Sequence, residues 1–203
     1  MSMAATAVSD PHGISFEDFL ATVDEGTHAE WIDGEVVRMT PPTEEHARIS
    51  FFVARIMAAY VSRRRLGGQV FHAEVEMKLE RSARQPDVLY VVEEKRARYR
   101  KVYLEGPGDL AVEVISPDSR VRDRREKFRE YQQAGVREYW LIDPMQKTAE
   151  VHRLTEGGEY ELVPAGEPAR LTSEVVPGFW IDPAWLWAES PDEWVAYREW
   201  GLI

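Results

Sequence analysis

The sequence predicts a single α/β (α+β) domain: a mixed central β-sheet flanked by helices, with a hairpin and a helical tail added. Three observations carry this. The apolar runs at 86–92 and 109–115 are too short for core helices and read as covered strands. A long amphipathic helix pattern precedes them, at 41–68, and another helix pattern follows, at 117–135. "REYWLID", 137–143, then returns as a strand, so strands and helices interleave as in a sheet with helices packed on it. The 203 residues suffice for one good-sized core. Residues 1–13 read as a flexible tail and 14–203 as the domain.

The elements follow in order. "SFEDFLAT", 15–22, is a short helix with Ser15 as N-cap and Asp18 three residues on. "AEWIDGEVVRM", 29–39, is a hairpin around Asp33-Gly34, a favoured tight-turn pair. In the long helix Thr43 caps the start, two glutamates suit the positive end, and three arginines before Gly67-Gly68 suit the other. Ile49, Phe52, Val53, Ile56 and Tyr60 recur at helical spacing and form its core face. "QVFHAEVEMKLE", 69–80, alternates and reads as one strand, with Phe71, Ala73, Val75, Met77 and Leu79 on the apolar side. "KRARYRK", 95–101, is a basic loop or short helix. Residues 148–154 and 159–163 form a hairpin around Gly157-Gly158. The end of the chain holds short helices rich in Trp, suited to closing a core edge or a subunit contact.

Composition narrows the class. With 44% hydrophobic and 30% charged residues the chain reads as soluble and globular. No apolar run approaches a membrane span, and the N-terminus shows no signal-peptide pattern. The absence of cysteine excludes disulfides, thiolate nucleophiles and Cys-based metal sites, and agrees with a cytoplasmic location. The net charge of -11 argues against a nucleic-acid partner. Its distribution argues the other way in one place: residues 95–137 hold 12 Lys+Arg against 7 Asp+Glu, whereas residues 150–203 hold 3 against 11. That basic middle reads equally as a solvated helix face or as a surface for an anion.

Two carboxylates stand out. In 109–115, Leu110, Val112 and Val114 share one strand face, and Ala111, Glu113 and Ile115 the other. Both faces are otherwise apolar, so an ionised Glu113 costs several kcal/mol unless it is paired or binds a cation. A structural pair with an arginine is one solution. Asp87 supplies another, because it follows Pro86 at the mouth of the 86–92 strand. If the two strands are neighbours, their carboxylates converge on a hard-oxygen site suited to Mg²⁺ or Mn²⁺. Lys127 lies on the next helix, on a stripe with Arg124 and Tyr131 and flanked by Asp123 and Glu130. On spacing alone a surface lysine paired with Asp123 is favoured; beside a carboxylate pair it would stabilise a phosphoryl oxygen.

Other chemistries find no support. There is no G-x-S-x-G and no G-x-x-x-x-G-K-[ST]. The histidines at 12, 28, 46, 72 and 152 lack zinc-ligand spacing.

In order and context, Asp87, Glu113 and Lys127 resemble the PD-(D/E)XK nuclease superfamily. More closely, the chain resembles the Uma-type family of restriction-endonuclease-like proteins. The matching text is "EWIDGEVVRMTPPTEEH", "QPDVLYVV", "GDLAVEVISPDS", "RDRREKFREYQQAGVREYWLIDP" and "VVPGFWID", which together cover most of residues 29–182. The resemblance implies a restriction-endonuclease-like core and metal-assisted phosphodiester hydrolysis. Asp87 and Glu113 would then be the Mg²⁺ or Mn²⁺ ligands. The superfamily lysine two residues after the second acid is Ile115 here, and Lys127 looks like its relocated counterpart. Glu30 resembles an additional acidic residue of such sites. His46 approaches the site or serves the helix start, and Glu76 is the weakest candidate. Arg96, Arg98, Arg120 and Arg124, with their basic neighbours, would meet DNA phosphates. A homodimer is implied as well. The competing class is a nuclease-like fold kept as a binding or assembly module with little or no catalysis.

Overall fold

The computed structural model describes residues 13–23 and 28–203. The expected tail lies outside them except for Gly13. Helix α1 (Phe16–Thr22) starts at Ser15, whose hydroxyl accepts from Asp18 N at 3.0 Å. Strands β1 (Ala29–Ile32) and β2 (Glu35–Arg38) form the expected hairpin. Asp33 (φ 51°) and Gly34 (φ 86°) both take left-handed backbone, the turn geometry that matches strand twist.

Helix α2 (Glu44–Arg64) begins at Thr43, whose hydroxyl accepts from His46 N at 3.2 Å. Its buried face includes Ile49, Phe52, Val53, Ile56 and Tyr60, as the spacing predicts, together with Met57. It ends at Arg65 (φ 54°), earlier than the glycine pair that was expected to stop it. Gly67 and Gly68 instead turn the chain into β3 (Gln69–His72).

The single strand expected over 69–80 is two strands in two sheets. After β3 the chain breaks at Ala73 (φ 47°), whose N–H goes to Asp87 O at 3.0 Å, and resumes as β4 (Glu76–Lys78). Alternation is the same in both halves, so period alone could not show the switch. Next come β5 (Ser82–Arg84), β6 (Val88–Val91), a 3₁₀ helix (Glu93–Arg98), β7 (Tyr103–Glu105) and β8 (Leu110–Val114). The chain is then helical from 120 to 134, with a π-helical stretch (Arg122–Lys127) leading into α3 (Phe128–Ala134). Strands β9 (Glu138–Asp143), β10 (Thr148–Leu154) and β11 (Tyr160–Leu162) follow. A small hairpin of β12 (Leu171–Thr172) and β13 (Trp180–Ile181) leads to α4 (Pro183–Leu186) and α5 (Glu193–Glu199).

The central sheet is mixed, in the order β11-β10-β9-β8-β6-β3. Strand β8 runs antiparallel to β6 and parallel to β9, so the connection from β8 to β9 crosses over through the helix at 120–134. One face of the sheet, with Val88, Tyr90, Val112, Val114, Trp140 and Ile142, packs on α2 and the C-terminal elements. The other face, with Leu89, Ala111, Tyr139 and Leu141, meets Tyr131 of α3 and Met77 and Leu104 of a second sheet, ordered β2-β1-β5-β4-β7. The tail closes the core edge: Trp200 is buried, with its ring 5.1 Å from Tyr60 and 5.3 Å from Phe179. Trp194, by contrast, stays exposed. Among the described residues no helix is long and apolar enough to cross a membrane.

Candidate active site

The expected neighbourhood of the two carboxylate strands is present. Val88 pairs with Val112 and Leu89 with Ala111, and one further step of that register sets Asp87 across from Glu113. Asp87 Oδ2 accepts Val114 N at 2.7 Å and lies 3.0 Å from His46 Nε2. That leaves Oδ1 without a contact among these. Pro86, lacking an N–H, cannot carry the ladder beyond Asp87.

Glu113 is 3% exposed, and its Oε1 accepts from both Lys127 Nζ and Tyr131 OH at 2.9 Å. Lys127 is buried, not a surface lysine as spacing favoured. Its Nζ also stands 3.3 Å from Glu30 Oε1 and 3.8 Å from Asp123 Oδ1. The π-helical stretch presents both Asp123 and Lys127 inward from a run that reads as uniformly polar. Single π-helical turns of this kind are frequent at functional sites. Asp123 Oδ1 is buried without a hydrogen-bond partner.

Glu30 comes in from the second sheet. Its Oε2 accepts from Arg84 Nη1 at 2.8 Å, and its Oε1 from Gln85 N at 3.2 Å. Arg84, fully buried, also donates from Nε to Glu130 Oε2 at 2.8 Å, so it ties β1 to α3. Arg84 was missed by sequence reasoning, because its partners lie far away in the chain. Burial works against Glu30's charge, but Lys127 and Arg84 overcome it and hold its carboxyl below the ordinary value.

The electrostatics are unbalanced. Burial disfavours the Lys127 cation, yet Glu113, Glu30, Asp123 and Asp87 raise its pKa above the ordinary value, so it stays protonated. Glu113 is pushed well above the carboxylate range by burial, and Asp87, Asp123 and Glu30 add to this against the pull of Lys127. For His46, burial would lower the imidazole, but the hydrogen bond and charge of Asp87 prevail and raise it. Burial and the charge of Glu30 raise Glu76 to about 7, and its Oε2 has no hydrogen-bond partner.

Glu30, His46, Asp87, Glu113, Asp123 and Lys127 line one cavity of about 150 Å³, together with His28, Ser50, His72 and Arg122. Arg122 Nε is buried and unpartnered. The donor set suits a hard divalent cation: carboxylate oxygens crowd one lysine, and one of them, on Asp123, has no hydrogen-bond partner. Among the described residues no three His, Asp or Glu side chains group closely enough to enclose a metal alone. A site of one or two carboxylates completed by water and phosphate oxygens is how Mg²⁺ is usually held.

The expected phosphate contacts are divided. Arg96 and Arg98 sit on the 3₁₀ helix beyond the C-terminal end of β6, while Asp87 precedes its N-terminal end, roughly 13 Å away at strand rise. Arg120 is paired with Asp143 at 2.5 Å and Arg124 with Glu150 at 2.9 Å. The structure brings Asp87, Glu113, Lys127 and Glu30 together and leaves those four arginines apart from them or neutralised.

A family model described as "Putative restriction endonuclease" matches residues 16–184. The chain belongs to the Uma2 family. Among solved structures, one reported as a putative nuclease belonging to DUF820 from Anabaena variabilis superimposes with a TM-score of 0.71. The two chains are 19% identical, and the match covers 86% of this chain and 97% of the other. At that identity the likeness establishes the nuclease-like fold. No curated protein matches the chain.

Proposed function

We propose that this Uma2 chain is a metal-dependent endonuclease that hydrolyses phosphodiester bonds in DNA. The observation that carries the proposal is the convergence of Asp87, Glu113, Glu30 and a protonated Lys127 on one cavity. Asp87 and Glu113 are the proposed ligands of Mg²⁺ or Mn²⁺. When bound there, the cation supplies Lewis-acid polarisation of the scissile phosphate and a more acidic water. The residues do the rest. Lys127, held as a cation, donates to a phosphoryl oxygen and offsets charge that grows there. Glu30, itself fixed by Arg84, and Tyr131 keep Lys127 and Glu113 in position. His46 and Val114 N fix Asp87 Oδ2. Arg122, with a free N–H in the cavity, is a closer phosphate contact than Arg120 or Arg124.

The second reading, a nuclease fold used as a binding or assembly module, is favoured by the net charge of -11 and the ion-paired arginines. The homodimer proposal now rests on the family resemblance and the exposed Trp194, since Trp200 is used in the core.

The test is cleavage of plasmid and single-stranded DNA with Mg²⁺ or Mn²⁺, with Glu113→Gln and Lys127→Ala purified identically. The expected result is cleavage by wild type and a loss of about 100-fold or more in each variant. Equal cleavage by all three would mark a contaminant, and no cleavage by any would favour the binding-module reading.

A further inference from the structure

The cavity is narrow and its reactive groups are deep. It encloses about 150 Å³, below the size of ordinary small-molecule pockets. Glu113 and Lys127 are 3% and 2% exposed. A cavity of that size admits a phosphate group and leaves the neighbouring base outside it.

Beside the cavity lies a patch that the proposed reaction does not use. Phe51 of α2 is 51% exposed. Isolated exposed apolar side chains are common and mean little. Phe51 differs in its company. Its ring centroid is 5.6 Å from that of His72, at an interplanar angle of 58°. His72 lines the cavity, and Ser50 Oγ lies 3.1 Å from its Nε2. The Arg55 guanidinium stands 5.3 Å from the Phe51 centroid and is tethered to Glu193. A half-exposed aromatic ring, with Arg55 over one face, therefore stands next to a wall residue of the proposed phosphate site.

We propose that Phe51 and His72 form a base-stacking platform and that the substrate strand is unpaired at the point of cleavage, its phosphate in the cavity and the adjacent base on Phe51. The inference rests on the nuclease reading and names its substrate class. Stacking tolerates any base and does not depend on positive surface. It therefore suits a chain of net charge -11 whose Arg120 and Arg124 are already paired.

The experiment is fluorescence anisotropy of the full chain in EDTA. The probes are a 12-nucleotide single strand carrying 2-aminopurine and the blunt duplex of the same sequence. Wild type is expected to bind the single strand at least tenfold more tightly and to quench the 2-aminopurine. Phe51→Ala is expected to weaken single-strand binding about tenfold, the scale of one stacked base, and to lose the quench with no change in melting temperature. Phe51→Trp should restore both. Equal affinity for the duplex, or a Phe51→Ala effect within twofold, would overturn the proposal. Duplex preference alongside cleavage that Glu113→Gln abolishes would overturn it alone; binding of neither probe would overturn the nuclease reading with it.

Discussion

Glu113 shows how one residue can be read before its surroundings are known. A carboxylate in the middle of an apolar strand is costly, and the structure bears the cost out: burial drives its pKa well above the ordinary range. Asp87 was legible for a similar reason, standing after Pro86 at a strand mouth. Arg84 and Asp123 were not, since nothing local distinguishes them from surface charges. Glu76 makes the cost measurable. Its pKa of about 7 lies above the ordinary 4.5. The folded state thus holds a proton that the unfolded chain releases, and stability is lost as pH rises from 4.5 through about 7. Glu76→Gln is expected to be more stable than wild type at pH 8, by about 1–2 kcal/mol after allowing for partial solvent screening. The gain should vanish near pH 4. Urea denaturation at both pH values checks this, and a difference independent of pH would exclude the assignment.

At the scale of elements, caps and turn pairs were the most legible features. Ser15, Thr43 and Asp33-Gly34 act where the sequence places them, because each works through neighbours a few residues away. Two departures from what the sequence predicts have non-local causes. The break at Ala73 is set by which sheet receives each half, and the π-helical stretch by the need to bury Asp123 and Lys127 together. The glycines separate backbone freedom from close approach. Gly68 (φ 73°) lies where a Cβ would come within 2.5 Å of Val91 O, whereas Gly135 (φ 87°) has nothing within 4 Å. Gly135→Ala is expected to cost about 1–2 kcal/mol, the left-handed backbone penalty alone. Gly68→Ala should cost clearly more, since backbone must move. Equal losses in denaturant midpoint would contradict this reading of the α2–β3 turn.

For the whole molecule, the site forms where two sheets and the crossover helix meet. The central sheet contributes Glu113 and its neighbour Asp87, the second sheet Glu30 and Arg84, and the helix Asp123, Lys127 and Tyr131. Arg84 joins the second sheet to α3. Arg84→Met is expected to destabilise the protein by about 3–5 kcal/mol, because Glu30 and Glu130 lose a buried partner. Chemical denaturation measures this, and a change below about 1 kcal/mol would show that the layers hold together without it. The mixed sheet, its flanking helices and the core faces of 109–115 could be read from periodicity. The arrangement of the second sheet could not, because its strands are only three or four residues long and the pairings of β1 with β5 and β4 with β7 join distant segments. On the proposed reading, Asp87 and Glu113 endure their surroundings in order to share a divalent cation. Isothermal titration of Mn²⁺ into wild type and Glu113→Gln tests it most directly. Saturable binding by wild type, weakened tenfold or more in the variant, is the predicted result; equal binding by both proteins, or none by wild type, would contradict it.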